Sequence, residues 1–186
     1  MNDDTAVIGQ VRAGDSNAFG ILVRKYQERL FHCLANLSGN VHEAEDLAQE
    51  AFVQAFLKIR SFQGQSSFFT WLYRIAFNLT VSRLRRKRPL TTLNDRHETG
   101  ESEPVDAGES VMDKLARDER AAQVQAALAT LTPDYRAILV LREMEGCDYE
   151  TIAEILDLPL GTVRSRLFRA RMELRERLQP LLQELP

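Results

Sequence analysis

The run Gly161-Thr162-Val163-Arg164-Ser165-Arg166-Leu167-Phe168-Arg169-Ala170-Arg171 brings together residue types that read DNA. Arginine forks onto guanine O6 and N7, and an apolar ring packs against a thymine methyl. Turned by about 100° per residue, Val163, Leu167, Ala170, Leu174 and Leu178 fall on one arc. Ser165, Phe168, Arg169 and Met172 fall on the opposite arc, flanked by Arg164 and Arg175. The first arc predicts a buried face and the second a face for a major groove. Just upstream, Asp148 to Leu156 is a shorter amphipathic stretch with Tyr149, Ile152, Ala153 and Leu156 inward, and Asp157-Leu158-Pro159 separates the two. Helix, tight turn and basic helix form the helix-turn-helix arrangement. Arginines on a terminal helix are otherwise a solvated face; the paired helix and turn favour the DNA reading.

A second line lies in Phe68 to Arg88. Phe68, Leu72, Ile75 and Leu79 point one way and predict a core, while Trp71, Arg74, Asn78, Ser82 and Arg85 share another line. Bases stack on aromatic faces, arginines take phosphates and an amide reads a base edge, so this line suits single-stranded DNA. The helix ends on Arg83, Arg85, Arg86, Lys87 and Arg88, a grip for backbone phosphates. Trp71 and Tyr73 taken alone are more often core residues than base platforms. Their company on this helix favours the functional reading.

A third stripe has a different character. Between about His42 and Arg60, Ala48, Ala51, Phe52, Ala55 and Ile59 make a core arc, and Asp46, Gln49, Glu50, Val53 and Leu57 lie opposite. Carboxylates mixed with aliphatics suit a protein partner that offers arginines and apolar surface. The alternative is that another helix of the same domain covers the stripe, and periodicity does not choose between the two.

The elements that must carry these stripes are nearly all helical. The chain has 186 residues, enough for one or two small domains with real cores. Glycine and proline are sparse and strand-like alternation is missing. A first helix is expected over Asp4 to Ala13. Asp15 is placed to cap a second that runs to about Asn36, with Phe19, Leu22, Val23, Tyr26, Leu30 and Phe31 as its core stripe. Ser38-Gly39-Asn40 is a turn. Ser61 to Ser67 is a polar loop containing one aromatic, Phe62. Pro89 ends the Phe68 helix. From Leu90 to about Val111 the sequence is aperiodic and acidic, a flexible linker. A helix then spans about Met112 to Thr130, and Thr132 caps another from Pro133 to Glu145 with Ile138, Leu139 and Leu141 as its core. The expected fold is all-α: a domain at residues 1–89, a linker at 90–111 and a domain at 112–186.

The net charge is −3, yet five of the six residues from Arg83 to Arg88 are basic and Asn94 to Asp113 is strongly acidic. That unevenness fits binding at chosen faces rather than general polyanion affinity. Cys33 and Cys147 are far apart in sequence, and His32, His42 and His97 are scattered, so no metal-ligand spacing arises. A structural role is expected for both cysteines. The polar N-terminus is no signal peptide, and no apolar run approaches a membrane span, so a cytoplasmic protein without membrane insertion is expected. Phosphate loops, dinucleotide fingerprints, zincin helices and nucleophile elbows are absent, which leaves no basis for an enzyme or a cofactor.

The residues by themselves leave two other readings open. One is an operator-binding regulator whose N-terminal helices dimerise or take an effector. The other is a single-strand-binding protein that works alone. The Trp-Arg-Asn line beside a basic helix end is what an operator-binding regulator does not need.

Three runs together, in this order, resemble the extracytoplasmic-function (ECF) sigma factors of bacterial RNA polymerase, the sigma-E type above all. They are Asp46-Leu47-Ala48-Gln49-Glu50-Ala51-Phe52, Phe69-Thr70-Trp71-Leu72-Tyr73-Arg74-Ile75-Ala76-Phe77-Asn78, and Gly161-Thr162-Val163-Arg164-Ser165-Arg166. The resemblance covers almost the whole chain. It implies that the partners are core RNA polymerase, through its β and β′ subunits, promoter DNA and an anti-sigma factor. It implies that Asp46, Gln49, Glu50, Val53 and Leu57 dock on the β′ coiled coil. Phe62, Trp71, Tyr73, Arg74, Asn78 and Arg85 would hold the melted −10 element, with Phe62 and Asn78 around a flipped-out base. Arg164, Ser165, Phe168 and Arg169 would read the −35 element as duplex. The linker would follow the polymerase's RNA-exit path. Where the family often carries a charge after the loop glycine, this chain has Gln65.

Overall fold

A computed structural model describes residues 3–87 and 111–183. Among these residues there are eight α-helices and no strand: α1 Asp3–Arg12, α2 Phe19–Ser38, α3 Val41–Lys58, α4 Phe68–Lys87, α5 Val111–Thr130, α6 Pro133–Leu139, α7 Tyr149–Leu156 and α8 Leu160–Gln183. The all-α expectation holds. Apart from Val111, where α5 begins, the expected linker lies outside the described residues.

Local chemistry sets most of the boundaries. Asp15 accepts from Asn17 N and caps a 3-10 turn, Ser16–Ala18, which leads into α2. Gly39 ends α2 at φ 73°, a left-handed conformation that costs glycine little. Asn40 then caps α3, its Oδ1 accepting from Glu43 N at 2.9 Å. Thr132 caps α6, with Pro133 in the first turn, where a missing N–H costs nothing. The expected continuous helix from Pro133 to Glu145 divides, however: α6 stops at Leu139 and a π turn covers Val140–Met144. Glu145 N donates to Val140 O at 3.0 Å, and Arg142 Nη1 pins the chain beyond by donating to Cys147 O at 2.7 Å. Apolar periodicity does not distinguish this wider turn from an α-turn.

Helices α1–α4 form a first half and α5–α8 a second. The two pack directly on one another, α4 against α7 and α6, and α2 against the π turn. Their buried apolar residues form one continuous cluster. This adds to the burial required of α2 and α4. In α2 the expected stripe is partly right: Phe19, Leu22 and Leu30 are buried, whereas Val23, Tyr26 and Phe31 are half-buried. Its later turns add Cys33, Leu34 and Leu37, all fully buried. In α4, Phe68 and Leu72 are buried as expected, but Ile75 and Leu79 are only half-buried. Tyr73, Ala76, Phe77 and Thr80 are buried instead, because the second half covers a further face. The buried Thr80 hydroxyl is satisfied by donating to Ala76 O at 2.8 Å.

One buried arginine joins the halves. Arg136 donates from Nε to Leu128 O at 2.8 Å and from Nη2 to Ala129 O at 2.6 Å, at the end of α5, and from Nη1 to Leu37 O at 3.0 Å, at the end of α2. Last-turn carbonyls have no partner inside their own helix, and a cation there is favoured by the helix dipole.

Candidate nucleic-acid and partner interfaces

The helix-turn-helix forms as the sequence implies. Asp148 caps α7 by accepting from Thr151 N at 2.7 Å, and that bond holds its carboxyl below the usual range. Asp157 closes α7 at φ 54°, a left-handed position that aspartate tolerates better than most side chains. Ile152 and Ile155 are the fully buried residues of α7, while Tyr149, Ala153 and Leu156 are half-buried. In α8 the inner arc is buried at Val163, Leu167 and Ala170. Arg164, Ser165 and Arg169 are exposed, with Phe168 at 66% and Met172 at 43% exposure between them. Arg171 leaves that face and anchors α8 to the π turn, donating from Nε and Nη2 to Glu143 Oε1 at 2.9 and 2.7 Å.

The line on α4 is also continuous. Trp71 is half-buried; Arg74, Asn78, Ser82 and Arg85 are exposed. Phe62 is buried at the corner after α3, its ring 6.1 Å from that of Phe68 and 5.1 Å from that of Trp71. It therefore fixes the tryptophan rather than standing free. Asn78 opens onto a groove shared with Glu50, Lys58, Ser82, Arg83 and Arg86, in which three cations face one carboxylate. Within it Arg83 donates from Nη2 to Glu50 Oε2 at 2.8 Å. Tyr73 does not share this surface. It is fully buried on a neighbouring face and donates to Glu145 Oε2 at 3.3 Å, and burial first, then Cys33 and Glu145, pushes its hydroxyl well above the usual range.

The outer stripe of α3 is largely uncovered, although its Glu50 is paired with Arg83 of α4. Val53 is 52% and Leu57 69% exposed, and Asp46 and Gln49 are exposed beside them. The stripe is one wall of an open apolar groove of about 820 Å³, with Phe19, Val23 and Phe31 of α2 as the other wall and Glu28 and Glu45 on its rim. Phe56 also lines it and was not foreseen. Its signal was available: it adjoins Leu57 and sits three residues after Val53, so it belongs to the same helix side.

Among the described residues no group of three or more His, Cys, Asp or Glu is placed to hold a metal. Cys33 and Cys147 are both free and buried. No helix there is long and apolar enough to cross a membrane.

Comparison with known proteins agrees with both halves. Residues 22–89 match the family described as Sigma-70 region 2, and residues 121–174 that described as Sigma-70, region 4. The RNA polymerase sigma-H factor of Pseudomonas aeruginosa is 41% identical over 99% of this chain and 98% of its own. The ECF RNA polymerase sigma factor SigW of Bacillus subtilis is 38% identical over 94% and 96%. Among solved structures, the sigma factor RpoE from Bartonella quintana, in complex with the anti-sigma factor NepR, is 28% identical. It superposes with a TM-score of 0.65 over 87% of this chain and 96% of that one. CnrH, solved with the cytosolic domain of CnrY, shares the fold at 24% identity, with a TM-score of 0.66 over 94% and 96%.

Proposed function

The chain belongs to the ECF sigma factors, and from that membership we propose how its surfaces divide the work of promoter recognition. As a sigma factor it binds core RNA polymerase and directs transcription from specific promoters. The observation that carries this is a likeness that runs through both halves of the chain in order.

The Val53–Leu57 groove is the docking face for core polymerase. Its apolar floor and acidic rim suit a helical pair that carries arginines and aliphatics. Asp46, Gln49 and Glu50 supply the polar part of the contact. Residues 1–89 act as one recognition domain. Phe62 braces Trp71, and Trp71, Arg74, Asn78 and Arg85 hold the −10 element once its strands part, with Tyr73 behind them. Base extrusion costs a few kcal/mol of stacking, which the aromatic and amide contacts offset. Residues 112–186 act as the second domain, in which Arg164, Ser165, Phe168 and Arg169 read the −35 element as duplex. Residues 90–111 tether the two, so the second contact is effectively intramolecular. The protein works beside cytoplasmic polymerase without a reaction of its own. An anti-sigma factor restrains it, as the anti-sigma factor NepR binds the structural neighbour RpoE.

The test is transcription in vitro with purified core polymerase on a pool of promoter fragments. Defined start sites that appear only with this chain are the expected result. A chain that neither co-elutes with core polymerase nor directs initiation would return the helix-turn-helix to an operator-binding role.

A further inference from the structure

Helix α1 supplies no residue to the α3 groove or to the groove beside Asn78, yet polar contacts tie down both of its ends. Near its start Asp4 is only 4% exposed, and a carboxylate that deep needs partners. Lys25 Nζ donates to Oδ1 and the Tyr26 hydroxyl to Oδ2, both at 2.6 Å. Burial first, and then Asp4, pushes Tyr26 up to about 12, so its hydroxyl remains a donor at neutral pH. At the other end Arg12, the last residue of α1, donates from Nε to Ile59 O at 3.2 Å. Ile59 closes α3. A carbonyl at a helix C-terminus has no donor within its own helix and attracts a cation. The same oxygen accepts from Phe62 N at 3.3 Å. Between these ties Val7, Ile8 and Val11 are buried, so α1 is a packed rod of 10 residues, about 15 Å long.

Both ties lead to the corner that carries Trp71. Ile59 O holds the backbone of Phe62, whose ring lies 5.1 Å from Trp71. The Tyr26 ring lies 5.5 Å from that of Phe68, and Phe68 lies 6.1 Å from Phe62 and 5.9 Å from Trp71.

The loop between Phe62 and Phe68 has no such outside anchor. Gln65 donates to Gln63 Oε1 at 3.1 Å, and Ser67 Oγ is bonded to Thr70 Oγ1 at 2.9 Å and accepts from Thr70 N at 3.1 Å. Among the described residues, no hydrogen bond of Gln63–Ser67 reaches beyond the first turn of α4. The loop is therefore placed by its two ends, and both ends are braced from α1.

We propose that α1 is a strut for the strand-reading corner, and that Arg12, with Tyr26 held by Asp4, acts as a positioning residue for promoter opening without touching DNA. Arg12 fixes where the corner begins, through Ile59 O and Phe62. Asp4 and Tyr26 fix where α4 begins, through Phe68. Trp71 is held between the two. This rests on the reading of α4 as the −10 face.

The experiment uses the full-length chain with core polymerase. Arg12→Met keeps the apolar stem and removes the donor, Arg12→Lys keeps one donor, and Tyr26→Phe keeps the ring and removes the hydroxyl. Arg12 is exposed, so Arg12→Met should keep a urea midpoint close to wild type. Polymerase binding should be unchanged in all three. Opening, read by permanganate at the −10 region, should slow about fivefold in Arg12→Met and about threefold in Tyr26→Phe, as for the loss of single hydrogen bonds. Arg12→Lys should recover most of the loss. In Arg12→Met the preference for the native −10 sequence over a single-base variant should narrow, which lost packing alone would not cause. Acrylamide quenching of Trp71, the chain's single tryptophan, should rise in Arg12→Met in the free chain and fall back in Arg12→Lys. Normal opening in Arg12→Met or Tyr26→Phe, or a loss that Arg12→Lys does not recover, would overturn the proposal. So would a slower opening matched by equal losses of polymerase binding and stability, which would leave α1 a packing element. Asn78→Ala is the control on the strand face itself. If it opens normally, the −10 reading of α4 fails, and Trp71 quenching still decides whether α1 sets the corner: unchanged quenching in Arg12→Met refutes the strut.

Discussion

Phe62 holds its ring 5.1 Å from that of Trp71, tilted by 47°, at the corner where the chain leaves α3 and enters α4. Trp71 is the chain's single tryptophan, so its emission reports on this corner alone. Phe62→Ala should cost about 3 kcal/mol in urea denaturation, as for a buried phenylalanine, and shift the emission to the red. Phe62→Leu keeps the burial and should cost about 1 kcal/mol, yet it should still slow promoter opening because the tryptophan loses its brace. Full opening by the leucine variant would reduce Phe62 to a core residue.

Asn78 is exposed on a groove that reaches Glu50 of α3 but lies outside the apolar Val53–Leu57 groove. Asn78→Ala should therefore leave polymerase binding unchanged and reduce opening by about tenfold, in line with one amide–base contact. Permanganate footprinting of the −10 region measures this directly, and a normal footprint would remove Asn78 from the strand-binding site.

Arg164 projects from the first turns of α8, beyond the buried Val163. Arg164→Ala should weaken −35 recognition by about 1–3 kcal/mol at one or two base positions and leave the others alone. Arg175→Ala, about two turns beyond Phe168, should lower affinity evenly across sequences. Unchanged selectivity in Arg164→Ala, measured over a set of promoter variants, would move the groove contact elsewhere on the helix.

Legibility in the sequence follows how many neighbours a helix has. The arc of α8 was readable because one face is buried and the other open, so Val163, Leu167 and Ala170 keep a clean period. The core arc of α3 was readable for the same reason. Helices α2 and α4 are covered on more than one side, and a single stripe cannot describe them. Cys33, Leu34 and Leu37, and likewise Tyr73 and Phe77, are buried by the meeting of the halves, which periodicity within one helix does not encode. Arg136 was unreadable in a stronger sense: its burial depends on carbonyls eight and ninety-nine residues away. Of the site residues, the α8 and α3 sets stand exposed as read, apart from the half-buried Glu50. The α4 set is divided, Tyr73 being inside the fold and Arg74 and Arg85 engaged across it.

Leu57 is 69% exposed, so it adds little to the fold of the free chain. Leu57→Asp should leave denaturation within about 0.5 kcal/mol of wild type while weakening core polymerase binding by at least about 2 kcal/mol, the cost of losing an interface anchor. A pull-down titration against core polymerase gives the second number. A variant that binds normally would show that the apolar groove serves some other partner.

Cys147 gives the pH prediction its sign. Burial first, then Glu145, pushes its thiol from the ordinary 9.0 up to about 11. Tyr26, half-buried and donating to Asp4 at 2.6 Å, is pushed from 10.0 up to about 12. Above pH 9 the unfolded chain releases a thiol proton that the folded chain keeps. Unfolding then releases protons, and stability falls as pH rises through the 9–11 window. Below pH 9 neither state releases the proton and the stabilisation is fully present. The loss through Cys147 should reach no more than about 2 kcal/mol across the window, read as the shift in urea midpoint between pH 8 and pH 10.5. Cys147→Ala should reduce the slope there and leave the contribution of Cys33, whose thiol burial also holds up, and those of Tyr26 and Tyr73, which begin a unit higher. At neutral pH the same burial keeps both thiols protonated, so Cys33 and Cys147 should react with iodoacetamide far more slowly than in urea. Rapid alkylation of the native chain would mean that the halves part often enough to expose Cys33, whose thiol is raised by burial and by Glu145 of the second half.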